Sequence, residues 1–236
     1  MTLLYLCGAG NPEGVRLALR INRGRGDWSQ IQLLDDYPGR WGKEILGVQV
    51  AGPFNLLEAV PPEGARVANL VARTTSRRWI ARQRIAAYGV PFAPLVDPDV
   101  DIDGTVLPDD LIVYRGAVVG AECTLGAGSV VFMGAVVGHA STLGKVCVVA
   151  PGAVINARVR LDDGAYVGTN AAILPDVSVG AWVTVGACSL VTHDVPAGAT
   201  VMGVPGKVMM TRGSDPLPRE LRPAASPIEA VPEPAA

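Results

Sequence analysis

From Leu107 to Val191 every sixth residue is Leu, Ile or Val, without a break: Leu107, Val113, Val119, Leu125, Val131, Val137, Leu143, Val149, Ile155, Leu161, Val167, Ile173, Val179, Val185 and Val191. Side chains recur about every 3.6 residues in an α-helix and every 2 in a strand, so neither makes that period. A six-residue repeat belongs to a parallel β-helix, in which short strands wind round a prism and stack on themselves. A second column lies four residues further on, from Leu111, Ala117 and Cys123 through Ser129, Ser141 and Cys147 to Ser189 and Val195. Most of these residues are small, as an inward position near a tight corner requires. Three hexads make one coil, so residues 18 apart should stack at roughly 4.8 Å per coil. Gly follows the aliphatic residue at Gly120, Gly126, Gly138, Gly144, Gly168, Gly180 and Gly186, where it is expected to supply turns of positive φ.

The pattern before residue 95 is different. Apolar runs at Leu3–Leu6, Ile31–Leu34 and Ala68–Ala72 alternate with two helical segments, VRLALRI and RRWIARQRIAAYGV. Thr74, Thr75 and Ser76 offer N-caps to the second segment and Gly89 a stop. Strands alternating with helices predict a small parallel α/β sheet of the Rossmann type. The expected organisation is a Rossmann-like domain over residues 1–94, a β-helix over 95–210 with its hand-over at Phe92–Asp103, and a flexible Pro/Ala-rich tail over 211–236.

Composition narrows the function. The 236 residues carry a formal charge of −2 and 5% aromatic residues, which gives no electrostatic reason to expect nucleic acid or an anionic membrane as partner. Cys7, Cys123, Cys147 and Cys188 form no CxxC pair and no zinc-ligand spacing. They read as buried free thiols of a reducing compartment. No signal peptide and no bilayer-length apolar stretch is evident, so a cytoplasmic location is expected, with no metal site.

The tandem hexads followed by ATVMGVPGKVM, together with GAGNPEGVRLAL, LLDDYPG, GVPFAPLVDP and VVGHASTLGKVCVVAPGAVI, resemble the left-handed β-helix acyltransferases. Within them the likeness is to the sialic-acid and bacillosamine-pathway sugar O/N-acetyltransferases, over about residues 2–210. The resemblance implies a Rossmann-like domain that binds a sugar or nucleotide-sugar acceptor, and a left-handed parallel β-helix that forms a homotrimer and takes acetyl-CoA as acyl donor between subunits. By the same resemblance His139 matches the catalytic base, which accepts a proton from the acceptor as it attacks the thioester. Thr169 and Ala187 match acetyl-CoA contacts, with Gly168 and Gly186 bordering the same groove. His193 is expected to flank the pantetheine arm. Lys207 matches a residue near the phosphate end of CoA and reads equally well as a solvated lysine. Asp35 and Asp36 match the acceptor-binding pair, although an acid after the second strand also fits a ribose reader of a dinucleotide domain. Gly8, Gly10 and Gly14 suit either close approach to a ligand or a tight strand-to-helix turn.

The chain departs from the family pattern at several points. Ala140 stands where Asp or Glu follows the base, Val148 where a second histidine lies near the thioester, and Phe132 where Asn is common. In the acceptor loop Asn11-Pro12 replaces Gly-His, and Arg73 replaces the Gly after the third strand, so Asn11 and Arg73 are counted with the acceptor pocket. Glu122, 18 residues before Ala140, is positioned to stand in for the missing carboxylate by orienting or charging His139. Its competing role is a solvated partner of Arg158. The rival to an enzyme is a catalytically degenerate trimeric β-helix scaffold or binding protein.

Overall fold

The computed structural model describes residues 2–209; the expected tail at 211–236 lies outside the described residues. The chain opens with β1 (Leu3–Cys7), α1 (Pro12–Arg25) and β2 (Gln30–Leu34). A hairpin of β3 (Glu44–Ile45) and β4 (Val48–Gly52) follows, then β5 (Ala65–Asn69) and α2 (Thr75–Ala87). The sheet order is β3-β4-β2-β1-β5, parallel except for the β3–β4 pair. Asn11 caps α1, its side chain accepting from the Gly14 N–H at 3.1 Å. Thr74 caps α2, accepting from the Arg77 N–H. The third strand starts and ends three residues earlier than its apolar run suggested. Asn69 and Val71 instead turn their carbonyls to the buried Arg78 guanidinium.

From β6 (Leu95–Val96) onward the chain winds into a prism of parallel strands, β6 being the first rung against Ile112–Val113. Stacking therefore begins inside the expected hand-over segment. Face 1 carries the outward residues Ile112, Val130, Val148, Tyr166 and Thr184; face 2 carries Val118, Val136, Val154, Ala172 and Leu190; face 3 carries Thr124, Thr142, Arg160 and Ser178. Partners within each face are 18 residues apart, as the repeat predicts. Apart from Leu107, which is partly buried, every residue of the aliphatic series lies in the prism core.

Serines and cysteines of the second column tie successive coils together. Ser129 Oγ donates to the Gly144 carbonyl and accepts from the Cys147 N–H; Ser141 does the same with Asn156 and Val159. The Cys123 and Cys147 thiols donate to Gly138 and Asp162 carbonyls at 3.2 Å. A small group with a donor suits an interior where a carbonyl must find a partner.

The glycines after each aliphatic residue are needed for a different reason from the one expected. None of them has positive φ. A Cβ on Gly126 would lie 2.3 Å from the Gly144 carbonyl carbon, and one on Gly138 2.5 Å from that of Asn156, so the next coil leaves no room. The left-handed conformation falls two residues later, at each position from Gly116 to Cys188, with φ between 51° and 75°.

The last coil is shorter. Val179 pairs with Val195 and Val185 with Val201, each sixteen residues apart. Val195 thus takes a place in the aliphatic column, not in the second column where its spacing had put it. The strands Thr200–Met202 and Lys207–Met209 then close face 1 with an antiparallel hairpin.

α2 holds the sheet domain to the edge between faces 3 and 1. Arg78 is fully buried and donates through Nε to the Gly128 carbonyl; Arg82 pairs with Asp110, whose other oxygen accepts from the Gly128 N–H. Trp79 meets Trp182 edge-on at 6.3 Å. The α1 end is joined through Asn11, which donates at 2.8 Å to the Tyr114 hydroxyl; Tyr114 stacks on Phe132 at 4.9 Å. No helix among the described residues is long and apolar enough to cross a membrane.

Candidate active site

A cleft of about 280 Å³ opens at the carboxyl ends of β1 and β2, lined by Gly8, Asp35, Asp36, Phe54, Arg77 and Arg84 together with Val71, Ile80 and Ala81. Ligands of open parallel sheets bind outside the carboxyl ends of the strands. Gly8 is held at φ 112°, beside Val71. Asp35 is buried and fully engaged: its carboxylate accepts from the Ala9 and Tyr37 N–H groups and from Arg40 at 2.7 Å. Asp36 accepts from the Phe54 N–H and from Arg84 at 2.5 Å. Both acids are thus neutralised, and Arg77, whose side chain has no partner among the described residues, is an uncompensated charge of the cleft.

Gly10 lies under Arg40, and Gly14 packs on Leu70, where a Cβ would come within 2.7 Å of a methyl carbon. Asn11 uses both ends of its amide for the cap and for Tyr114. Arg73 is exposed beside the start of α2. Gly10, Asn11 and Arg73 are not among the residues that line the cleft. A larger cleft of about 590 Å³ lies at the opposite ends of the strands, against Arg25, Trp28, Arg66, Phe92, Ile102 and Leu107, and contains none of the candidates.

The β-helix candidates occupy two different edges. His139 lies on the edge between faces 2 and 3, exposed, its carbonyl accepting from Arg158 of the next coil. His193 is on the same edge three coils on, about 14 Å along the axis, with Nδ1 hydrogen-bonded to Thr192 Oγ1 at 2.8 Å. Gly168 and Thr169 stack on Gly186 and Ala187 along the edge between faces 1 and 2, where the Cys188 N–H donates to the Thr169 carbonyl. Lys207 is exposed on the closing hairpin. One chain therefore brings the four groove residues together but keeps them across face 2 from His139. Glu122 is exposed, without a hydrogen bond or ion pair among the described residues, while Arg158 makes a bidentate pair with Asp176 at 2.6 and 2.8 Å. That pair excludes the expected alternative of Arg158 bound to Glu122, and it lowers the Asp176 carboxyl below its ordinary value.

The motifs in the sequence do not mark Arg77, Arg84 and Phe54 as cleft residues. Part of the signal was present: Arg77, Ile80, Ala81 and Arg84 are spaced i, i+3, i+4, i+7, one face of a helix, and that is the face turned to the cleft. Arg84 lies over the Phe54 ring, 5.6 Å from its centre.

No protein-family model matches the sequence, and no curated protein sequence matches it. Solved structures do. The acetyltransferase domain of PglB from Neisseria gonorrhoeae FA1090 superposes with a TM-score of 0.80 at 29% identity, covering 89% of this chain and 100% of that one. The same domain in complex with acetyl coenzyme A gives 31% identity over 88% of this chain and 98% of that one, with a TM-score of 0.60. PerB from Caulobacter crescentus, in complex with CoA and GDP-perosamine, shares the fold at a TM-score of 0.77 and 24% identity, covering 89% of this chain and 97% of that one. With a hexad prism that runs unbroken to Val191 and this likeness over nearly nine-tenths of its length, the chain belongs to the left-handed β-helix, hexapeptide-repeat family of sugar acetyltransferases and is an acyltransferase.

Proposed function

We propose that the protein transfers an acetyl group from acetyl-CoA to an amino or hydroxyl group of a sugar or nucleotide-sugar, with His139 as general base. The acceptor heteroatom bonds to the thioester carbonyl carbon while neutral His139 takes its proton. Collapse of the tetrahedral oxyanion breaks the C–S bond, and the proton passes from the imidazolium to the departing CoA thiolate. Direct attack needs no covalent enzyme intermediate, and the Cys123 and Cys147 thiols are buried in the prism. The observation that carries this reading is His139 itself: an exposed imidazole at mid-stack with no side-chain partner among the described residues. The PglB domain binds acetyl-CoA and PerB binds CoA with a GDP-sugar, which supports the same donor and acceptor classes here.

Residues 1–94 are assigned to the acceptor, through Gly8, Asp35 and Asp36 at the cleft, and residues 95–210 to acetyl-CoA. The sheet domain takes the Rossmann-like role: Arg77 offers the cleft's free positive charge to a phosphorylated acceptor. Thr169, Ala187 and Lys207 would run along CoA. A homotrimer completes the site. All five outward residues of face 2 are apolar and lie half-buried or exposed, Val118 at 55%. A second copy against that face covers the stripe and brings another subunit's edge towards His139. Use of acetyl-CoA and free thiols fits a cytoplasmic enzyme.

The test is CoA release from acetyl-CoA with a panel of amino sugars and their nucleotide-linked forms. His139→Ala should lower kcat at least about a hundredfold and leave acetyl-CoA affinity near that of the parent. Absence of CoA binding by calorimetry would refute the reading and favour a scaffold.

A further inference from the structure

The edge that bears His139 differs from the other two in the residues at its left-handed positions. Along the edge between faces 1 and 2 those positions begin Gly116, Gly134, Gly152; along the edge between faces 3 and 1, Gly128 and Gly164 alternate with Val146 and Trp182. On the His139 edge they are Glu122, Ala140, Arg158 and Asp176, with φ of 62°, 56°, 57° and 64° and no glycine. A residue with a Cβ is disfavoured in this conformation, and such positions persist where a side chain is required. Three of the four are charged. Arg158 and Asp176 satisfy each other, which leaves Glu122 as the unpaired charge of the column. Backbone stacking puts it beside His139: the Ala140 N–H donates to the Ala121 carbonyl at 2.9 Å, so Glu122 lies directly under Ala140, the neighbour of the imidazole.

We propose that Glu122 is the positioning residue of the general base, supplying from the neighbouring coil the carboxylate that orients the His139 ring and stabilises its imidazolium. This rests on the general-base reading of His139. The remaining charges of that neighbourhood are compensated: Arg158 by Asp176 and, on face 3, Arg160 by Asp162. Ala121 and Ala157, which stack on either side of His139, carry none. Removing the carboxylate must therefore lower kcat, because the ring is less well held, and leave acetyl-CoA binding untouched.

Three variants test this. Glu122→Gln should lower kcat about tenfold, with KM for acetyl-CoA unchanged. Glu122→Gly removes the carboxylate and the conformational strain together, so Tm should hold or rise while activity falls. Ala140→Glu introduced into Glu122→Gln should restore the rate, because the left-handed backbone at 140 is the one Glu122 already occupies. If Glu122→Gln keeps the parental rate while His139→Ala abolishes turnover, the proposal fails and the general-base reading stands. If His139→Ala retains turnover, both fail.

Discussion

At the scale of single residues, two kinds of glycine do different work in the prism, and substitution should separate them. Gly134 sits at φ 67° with open space around its missing Cβ, so Gly134→Ala costs only the left-handed penalty of about 1 kcal/mol. Gly126 has ordinary φ, but a Cβ there would run into Gly144, and Gly126→Ala should cost about 3 kcal/mol through overpacking. Thermal melts of the two variants check the order. The spacing of these glycines was plain in the sequence, but their cause was not, because a one-dimensional repeat does not show which way each Cβ faces the coil above. The cysteines sort in the same way. Burial pushes the Cys147 thiol up to about 12 and raises Cys7 and Cys123 as well, whereas Cys188 is exposed. Since the thiolate is the reactive form, a thiol reagent at pH 8 should modify one cysteine per folded chain and four after denaturation.

At the scale of elements, both helices and three of the four parallel strands of the sheet were legible from apolar runs and caps. The β3–β4 hairpin was not. Its turn is Leu46-Gly47 with both residues at positive φ, a conformation usually signalled by Asn-Gly or Asp-Gly, so leucine concealed it. Asn11 was read as an acceptor contact, yet the structure gives it two structural tasks, capping α1 and satisfying the buried Tyr114 hydroxyl. Asn11→Ala should cost about 2 kcal/mol, from a lost cap and an orphaned hydroxyl. Tyr114→Phe made on top of Asn11→Ala should recover part of that loss, because no buried hydroxyl then remains unpaired; denaturant midpoints of the single and double variants decide it. The cleft-facing side of α2 was equally legible in principle, but arginines at helical spacing usually mark only a solvated face. Their meaning came from what they meet: Asp36, Phe54 and Gly8 lie far away in sequence.

At the scale of the molecule, the hexad series fixed the path of about half the chain, and stepping by 18 placed His139, Glu122 and His193 on one edge. It could not place them relative to Thr169 and Ala187 in an assembled site, which in the proposed trimer depends on how copies meet over face 2. If that trimer forms through the apolar stripe, Val154→Lys in its middle should yield folded monomers seen by sedimentation, with unchanged far-ultraviolet circular dichroism and lost turnover. The top of the stack has a consequence for solubility. A prism whose last coil repeated the first would offer the same row of unpaired backbone groups at each end, and chains could add to one another without limit. Here two residues are missing from the closing turn, Gly203 and Gly206 bond to Leu190, and an antiparallel strand lies across face 1. On face 1 no rung of the same register follows among the described residues, so the hairpin works against the end-to-end growth of a self-templating architecture into a fibre.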